Sequence, residues 1–273
     1  MLSFNSRKIL SQFLAEDIGK GDITSSLLPK KKITARIISR ENAIVAGTKY
    51  AKEMFAIIGC NAKIIKKDGS NTKPNQTIMT ITGEARKILT CERTALNLLT
   101  RMSGIATQTN NLVKKIPNKK TKLYATRKTA PGLRIFDKEA VEIGGGKKHR
   151  LRLDEMVMIK DNHIAVGDSL ESLIKKAKKR HHKFEVEVEN TKDAVLAAKE
   201  GATIIMLDNF SPNQIKKTIQ VLKNQKLRDK VLIEASGGIN SKNISKYGNT
   251  GVDIISVGSI TNSVKGIDMS LEI

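Results

Sequence analysis

Charged and glycine-rich groups recur in the second half of the sequence, each at the end of a short apolar run. The runs are KLYAT (122–126), MVMI (156–159), FEVEV (184–188), TIIML (203–207), VLIEA (231–235) and DIISV (253–257). The groups that end or follow them are Arg127 and Lys128, Lys160, Glu187, Asp208, Ser236 with Gly237 and Gly238, and Gly258 with Ser259. Together they offer fixed positive charge, two carboxylates and backbone amides. This set suits a ligand that carries both carboxylate and phosphate groups.

Each kind of group has its own chemistry. The cations Arg127, Lys128, Arg150 and Lys160 can clamp anions, and an arginine fork does so bidentately. The two acids, Glu187 and Asp208, suit a Mg²⁺ ion that keeps several of its waters. The turns 236–238 and 258–259 are expected to open helices and to bind phosphate through backbone N–H groups.

The same residues also have ordinary structural interpretations. A glycine pair after a strand is often no more than a tight turn. Glu185, Glu187 and Glu189 alternate with valine, so they share one face of a strand. That face is either solvated or points into an interior, where the carboxylates would need cations or a metal ion as partners.

The elements that must position these groups alternate between strand and helix. The segments LRIFDKEAVEI, SLESLIKKAKKRH, TKDAVLAAKE, SPNQIKKTIQVLK and NISKYG read as helices between the apolar runs. Such alternation predicts parallel strands with right-handed crossovers, in an open sheet or a barrel. Functional groups at the end of nearly every strand favour the barrel, where those ends converge on one mouth. Six units are fewer than eight, so we predict an incomplete β/α barrel over residues 105–263.

Residues 1–104 form a different pattern, with helical stretches and short β-rich pieces that predict a separate α+β domain. The tail 264–273 is a candidate to return to this domain.

The 273 residues, 39% of them hydrophobic, fit a globular protein rather than a disordered one. No apolar run is long enough for a membrane span, and charges near the N-terminus argue against a signal peptide, so we expect a cytoplasmic protein. Cys60 and Cys91 stand alone, which excludes a disulfide framework and a structural zinc site.

The net charge of +22 has two interpretations, a nucleic-acid partner or a lysine-rich surface on an enzyme with anionic substrates. Aromatic residues are only 3%, tryptophan is absent, and the lysines lie in scattered clusters. These features favour the enzyme, because binders of single strands commonly stack bases on aromatic side chains.

Several motifs resemble the quinolinate phosphoribosyltransferases, also called carboxylating nicotinate-nucleotide pyrophosphorylases. They are T-R-K-T-x-P-G-L-R, G-G-G-x-x-H-R and K-D-N-H within residues 124–165, and ERTALNLLTRMSGIAT, FEVEVEN, IIMLDNF, EASGGI, ISVGSIT and LAEDIGKGDITSSLLP elsewhere. The resemblance covers nearly the whole chain in order. Arg152 departs from it, since a small residue is expected after the H-R pair, and Ala130 replaces a more usual threonine.

The resemblance implies transfer of phosphoribosyl from 5-phosphoribosyl 1-pyrophosphate to quinolinate, with release of pyrophosphate and CO₂. It implies an N-terminal α/β sandwich domain, a requirement for Mg²⁺, and a homodimer or multiple of dimers in which Arg93 reaches the neighbouring subunit's site. Lys128, Lys160, Glu187 and Asp208 would be catalytic, with Glu187 and Asp208 holding the metal through water. The implied substrate-binding residues are Arg93, Thr126, Arg127, Lys128, His149, Arg150, Lys160, Glu187, Asp208, Ser236, Gly237, Gly238, Val257, Gly258 and Ser259.

Two other functions stay open. A relative of the same fold with another substrate, of the type associated with molybdenum uptake, is the first, although the intact K-D-N-H motif speaks against it. A nucleic-acid-binding protein is a distant second. In the favoured interpretation the partners are small anions, with neither nucleic acid nor a membrane involved.

Overall fold

The computed structural model describes residues 4–167, 169–181 and 183–273. The chain forms two compact units. The first contains the residues up to Gln108, Glu142–Gly144 and Val264–Ile273. The second contains Thr109–Val141 and Gly145–Ser263.

The first unit is built on a four-stranded antiparallel sheet of β1 (Lys32–Ser39), β3 (Asn61–Ile64), β5 (Thr77–Glu84) and β12 (Met269–Glu272). The strand order is β12-β1-β5-β3. The final strand β12 pairs with β1 from Arg36↔Glu272 to Ser39↔Met269. A small separate ladder joins β2 (Ala43–Ile44) to β4 (Asn71–Thr72).

Three helices belong to this part of the chain, α1 (Phe4–Ile18), α2 (Thr48–Ile57) and α3 (Ala85–Lys114), with a 3-10 turn at Ser25–Leu27. Side chains of α3 satisfy backbone donors near β2. Ser103 Oγ accepts from the amide of Ala46 at 3.0 Å, and Thr107 Oγ1 accepts from the amide of Ile44 at 2.9 Å. The predicted α+β character of the first unit is confirmed. Cys60 and Cys91 are buried and free.

The second unit contains a six-stranded parallel sheet. Its strands are β6 (Lys122–Tyr124), β7 (Val157–Ile159), β8 (Phe184–Val188), β9 (Ile204–Asp208), β10 (Leu232–Ser236) and β11 (Ile254–Ser256). The order is β6-β11-β10-β9-β8-β7, with registers such as Glu185↔Ile204 and Leu232↔Ile204. Within the described residues the edge strands β6 and β7 do not pair with each other, so the predicted incomplete barrel is confirmed.

Helices alternate with these strands as predicted. They are α4 (Arg134–Ile143), α5 (Asp161–Val166), α6 (Leu170–Arg180), α7 (Thr191–Glu200), α8 (Pro212–Asn224), α9 (Ile244–Gly248) and α10 (Ser259–Asn262), with a 3-10 turn at Arg228–Lys230. Local sequence explains where several begin. Ser211 and Gln214 form a capping box ahead of Pro212, and the Asn190 side chain caps α7. Of the helices in the described ranges, none is both long and apolar enough to cross a membrane.

Candidate active site

The six strands of the second unit end around one cavity of about 390 Å³. Its lining residues are Ala125, Thr126, Arg127, Lys128, His149, Arg150, Met158, Lys160, Glu187, Met206, Asp208, Glu234, Ser236 and Ser256. Thr126 follows the edge strand β6, and Met158 lies on the opposite edge strand β7. Because both edges contribute to one cavity, the sheet curves around it.

Most of the predicted site residues meet at this cavity. Thr126, Arg127, Lys128, His149, Arg150, Lys160, Glu187, Asp208 and Ser236 all line it. Gly237, Gly238, Val257, Gly258 and Ser259 are not among its described lining residues, although they directly follow Ser236 and Ser256. Arg93 belongs to the first unit, where it lies exposed on α3.

Two arginines and two lysines give the cavity its positive charge. The Arg150 guanidinium donates to the carbonyl of Met156 at 2.9 Å. Burial, and then the neighbouring charge of Arg127, lower the pKa of Arg150. The Nε atoms of both arginines are buried, and neither has a hydrogen-bond partner within the described part of the chain. An unpaired buried donor is costly, so these two Nε–H groups are suited to donate hydrogen bonds to an anionic ligand.

Two carboxylates line the same cavity. Burial, and then the nearby charge of Asp208, raise the pKa of Glu187. Asp208 Oδ2 accepts a hydrogen bond from Asn209 Nδ2 at 2.6 Å. A cation bound near both carboxylates would relieve the repulsion between them.

His149 lies between two further carboxylates that the sequence analysis did not bring together. Its Nε2 is 3.3 Å from Glu185 Oε2 on β8 and 3.5 Å from Glu234 Oε2 on β10. Both glutamates are fully buried, and Ser256 Oγ donates to Glu234 Oε1. Burial alone would lower the pKa of His149, but the contacts with the two glutamates outweigh it and raise the pKa to about 9. Burial raises the pKa of Glu185 to about 7.

These three side chains are close enough to hold a metal ion, but the backbone contact of His149 favours a proton at the same place. The amide of Arg150 donates to Nδ1 of His149 at 2.9 Å, so the ring proton lies on Nε2 and leaves no lone pair there for a metal. Neutral His149 beside a protonated Glu185 contains as many protons as an imidazolium beside two carboxylates. The raised pKa values of both groups therefore describe one proton held by the cluster.

The glycine turns differ from the prediction. Helix α9 begins only at Ile244, so the expectation that residues 236–238 open a helix is wrong. Instead Gly237, with φ 93°, packs against the next strand end, where an added Cβ would lie 2.7 Å from the amide nitrogen of Asn209. Gly258 does precede a helix, but α10 has only four residues. A Cβ at Gly258 would lie 3.1 Å from Lys128 Cδ, which places this turn beside the cavity wall.

Two other parts of the motifs have local roles. Within K-D-N-H, the Lys160 amide donates to His163 Nδ1 at 3.2 Å, at the start of α5. Arg152, the departure from the family pattern, is 71% exposed and pairs with Asp154 at 3.1 Å and Glu155 at 3.7 Å. Its extra charge is therefore balanced by neighbouring acids.

Sequence reasoning missed five lining residues, Ala125, Met158, Met206, Glu234 and Ser256. From the pattern it took residues at strand ends, and the resemblance added His149 and Arg93, so residues inside the strands were left out. Glu234 carried a usable signal, because a glutamate between apolar residues of a buried parallel strand needs a polar partner.

Comparison with known proteins gives matches over nearly the whole chain. The family model described as quinolinate phosphoribosyl transferase, N-terminal domain, matches residues 22–103, and the model for its C-terminal domain matches residues 105–272. A probable carboxylating nicotinate-nucleotide pyrophosphorylase of Methanothermobacter thermautotrophicus is 44% identical, covering 97% of this chain and 98% of that protein. A probable enzyme of the same name from Bacillus subtilis is 38% identical, covering 98% and 93%.

Solved structures agree with these matches. The nicotinate-nucleotide pyrophosphorylase of Francisella tularensis has a TM-score of 0.92 and 39% identity, covering 100% of this chain and 97% of that one. The corresponding structure from Ehrlichia chaffeensis has a TM-score of 0.92 and 37% identity, covering 99% and 98%.

Proposed function

The chain belongs to the quinolinate phosphoribosyltransferase family, and from this premise we propose that it makes nicotinate mononucleotide for NAD synthesis. In this reaction the ring nitrogen of quinolinate forms a bond to C1 of the ribose of 5-phosphoribosyl 1-pyrophosphate, while the bond from C1 to pyrophosphate breaks. The 2-carboxylate then leaves as CO₂, and a proton from solvent replaces it.

One observation carries the proposal: a cavity of the second unit is lined by two arginines, each with a buried Nε donor that has no partner among the described residues, together with two carboxylates. Quinolinate is a dianion, and its carboxylates can accept from donors of Arg127 and Arg150 that otherwise have no partner within the described residues. Lys160 adds a third cation at the same cavity. We assign these three residues and Arg93 to the carboxylate clamp, with His149 and Lys128 adjacent.

Glu187 and Asp208 are assigned to the ribose and diphosphate end of the second substrate. Two carboxylates that repel each other in one cavity fit a Mg²⁺ ion, which prefers oxygen ligands and keeps several waters. Bound there, the metal would neutralise charge on the departing pyrophosphate. The carboxylates themselves would stabilise the positive charge that develops on the ribose.

The turns 236–238 and 257–259 are assigned to the 5-phosphate, because Ser236 lines the cavity and Gly258 lies beside Lys128 on its wall. Once the ring nitrogen is alkylated, its positive charge stabilises the carbanion left by loss of CO₂. The reaction therefore demands little acid–base chemistry. This agrees with a cavity whose described lining contains many fixed charges and one histidine.

The proposal includes an assembly and a cellular location. Following the family, we propose a homodimer or a multiple of dimers in the cytoplasm, with Arg93 completing the site of the neighbouring subunit. Lys128, Lys160, Glu187 and Asp208 are the proposed catalytic residues. The substrates, both small anions, account for the positive cavity without a nucleic-acid partner.

Purified protein with Mg²⁺, quinolinate and 5-phosphoribosyl 1-pyrophosphate is expected to form nicotinate mononucleotide and CO₂ in equal amounts. Product chromatography together with release of label from carboxyl-labelled quinolinate measures both. Turnover with nicotinate or another base, but none with quinolinate, would assign the chain to a relative with a different substrate.

The Arg127→Lys variant keeps the charge but loses the bidentate fork. We expect the binding free energy of quinolinate to weaken by about 1–3 kcal/mol, since a charged hydrogen bond is lost. Calorimetric titration should show a much smaller change for 5-phosphoribosyl 1-pyrophosphate. Equal losses for both ligands would remove Arg127 from the carboxylate clamp.

A further inference from the structure

Lys138 is a fully buried lysine for which neither the sequence nor the proposed function supplies a role. It lies on α4, and its relative exposure is 0%. An ammonium group removed from water needs strong compensating partners. Burial lowers the pKa of Lys138 to about 8, so most of the side chains still carry the charge at neutral pH.

Its partners are two backbone carbonyls rather than a carboxylate. Lys138 Nζ donates to the carbonyl of Lys148 and, at 2.5 Å, to the carbonyl of Arg150. The ion pairs present among the described residues do not include Lys138. The ammonium thus bridges two points of one loop, on either side of His149.

The loop needs such a restraint. His149 has φ 52°, in the left-handed region, which is unfavourable for a residue with a Cβ. A conformation of this kind persists only where its surroundings fix it. The two carbonyls that Lys138 holds flank this residue directly.

The loop conformation sets the direction of two cavity residues. It places His149, 7% exposed, against Glu185 and Glu234. It also carries Arg150, whose guanidinium is held at the carbonyl of Met156. We propose that Lys138 is a positioning residue for the carboxylate clamp: without touching substrate, it fixes the left-handed turn at His149 and so orients His149 and Arg150 toward quinolinate. The inference rests on the proposed function, because it concerns binding of that substrate.

The test compares Lys138→Met with Lys147→Met. Methionine is of similar length but cannot donate, whereas Lys147 is an exposed lysine of the same loop. We expect Lys138→Met to raise the KM for quinolinate at least tenfold, with the KM for 5-phosphoribosyl 1-pyrophosphate within twofold of the wild type. Lys147→Met should match the wild type in both. A purely structural role would lower the melting temperature and leave the quinolinate KM unchanged, and that result would overturn the proposal.

A second variant covers the case in which Lys138→Met does not fold. Lys138→Ala lacks the atoms of one propylammonium ion, so n-propylamine hydrochloride should restore a low quinolinate KM, while 1-propanol should not. Rescue by both additives would mean that the site needs only filled volume. If Lys138→Ala does not fold, or does not bind quinolinate, when n-propylamine is present, the ammonium group alone does not hold the loop at His149. That result would contradict the proposal. If the wild type and Lys147→Met do not turn over quinolinate in the same assay, the proposed function itself fails.

Discussion

Arg93→Ala is expected to be folded and almost inactive. The Arg93 side chain is exposed on α3 and, within the described residues, makes no hydrogen bond or ion pair that its removal would break. The folding stability of Arg93→Ala should therefore match that of Lys87→Ala, a control variant at another exposed cation of the same helix. A fall in turnover for Arg93→Ala alone would reflect the loss of a charge from the proposed shared site.

Mixing two inactive variants tests whose site Arg93 completes. In a heterodimer of Arg93→Ala and Lys160→Ala, one of the two sites would regain a full set of residues. Random reassortment makes half of the dimers heterodimers, so activity should recover to about a quarter of the wild-type value by mass action. No recovery, with subunit exchange demonstrated by mass spectrometry, would mean that Arg93 serves its own subunit.

Asp208→Asn is expected to lower kcat/KM by about 10²–10³, the usual effect of removing one preorganised electrostatic group from a transition state. The Mg²⁺ concentration that gives half-maximal activity should rise with it. Titrations of turnover against Mg²⁺ measure both changes. Normal Mg²⁺ dependence would separate Asp208 from the metal.

The melting temperature distinguishes this role from a structural one. Because the charge of Asp208 helps to raise the pKa of Glu187, the ionised pair destabilises the fold above the ordinary pKa of a glutamate. Neutralising Asp208 should therefore leave the melting temperature at pH 7 unchanged or raise it. A lower melting temperature with nearly normal activity would show that Asp208 mainly supports the fold.

Strands of the second unit were predictable to within two residues at each end, because buried parallel strands are short runs of β-branched and apolar residues. Helix α3 was not. Apolar residues at helical spacing support a helix from Leu89 to Met102. The helix instead begins at Ala85 and runs on to Lys114, through a stretch that contains one Gly, two Thr and two Asn. Tertiary contacts decide its length. The hydroxyls of Ser103 and Thr107 bond to backbone near β2, and Gly104 leaves room for the carbonyl of Lys265.

The candidate site was predictable where a residue stands at a strand end, and much less so elsewhere. Lys160, Glu187 and Asp208 are examples of the first kind. Glu234 lies within its strand, and its partner His149 comes from a distant loop, so only the fold brings them together. Lys138 gave no signal, because a lysine in an amphipathic helix ordinarily faces solvent.

The pairing of β12 with β1 has a consequence for the order in which the protein is made. On the ribosome β1 emerges before the six-stranded sheet, whereas its partner from Met269 to Glu272 is translated only after every strand of that sheet. All six strands of the second unit can therefore pair while one edge of β1 is still without its partner. An unpaired strand edge can pair with other chains and cause aggregation. In nascent or C-terminally truncated chains, the first unit should therefore need the protection of chaperones more than the second unit does. The unit whose synthesis starts first is the one that finishes folding last.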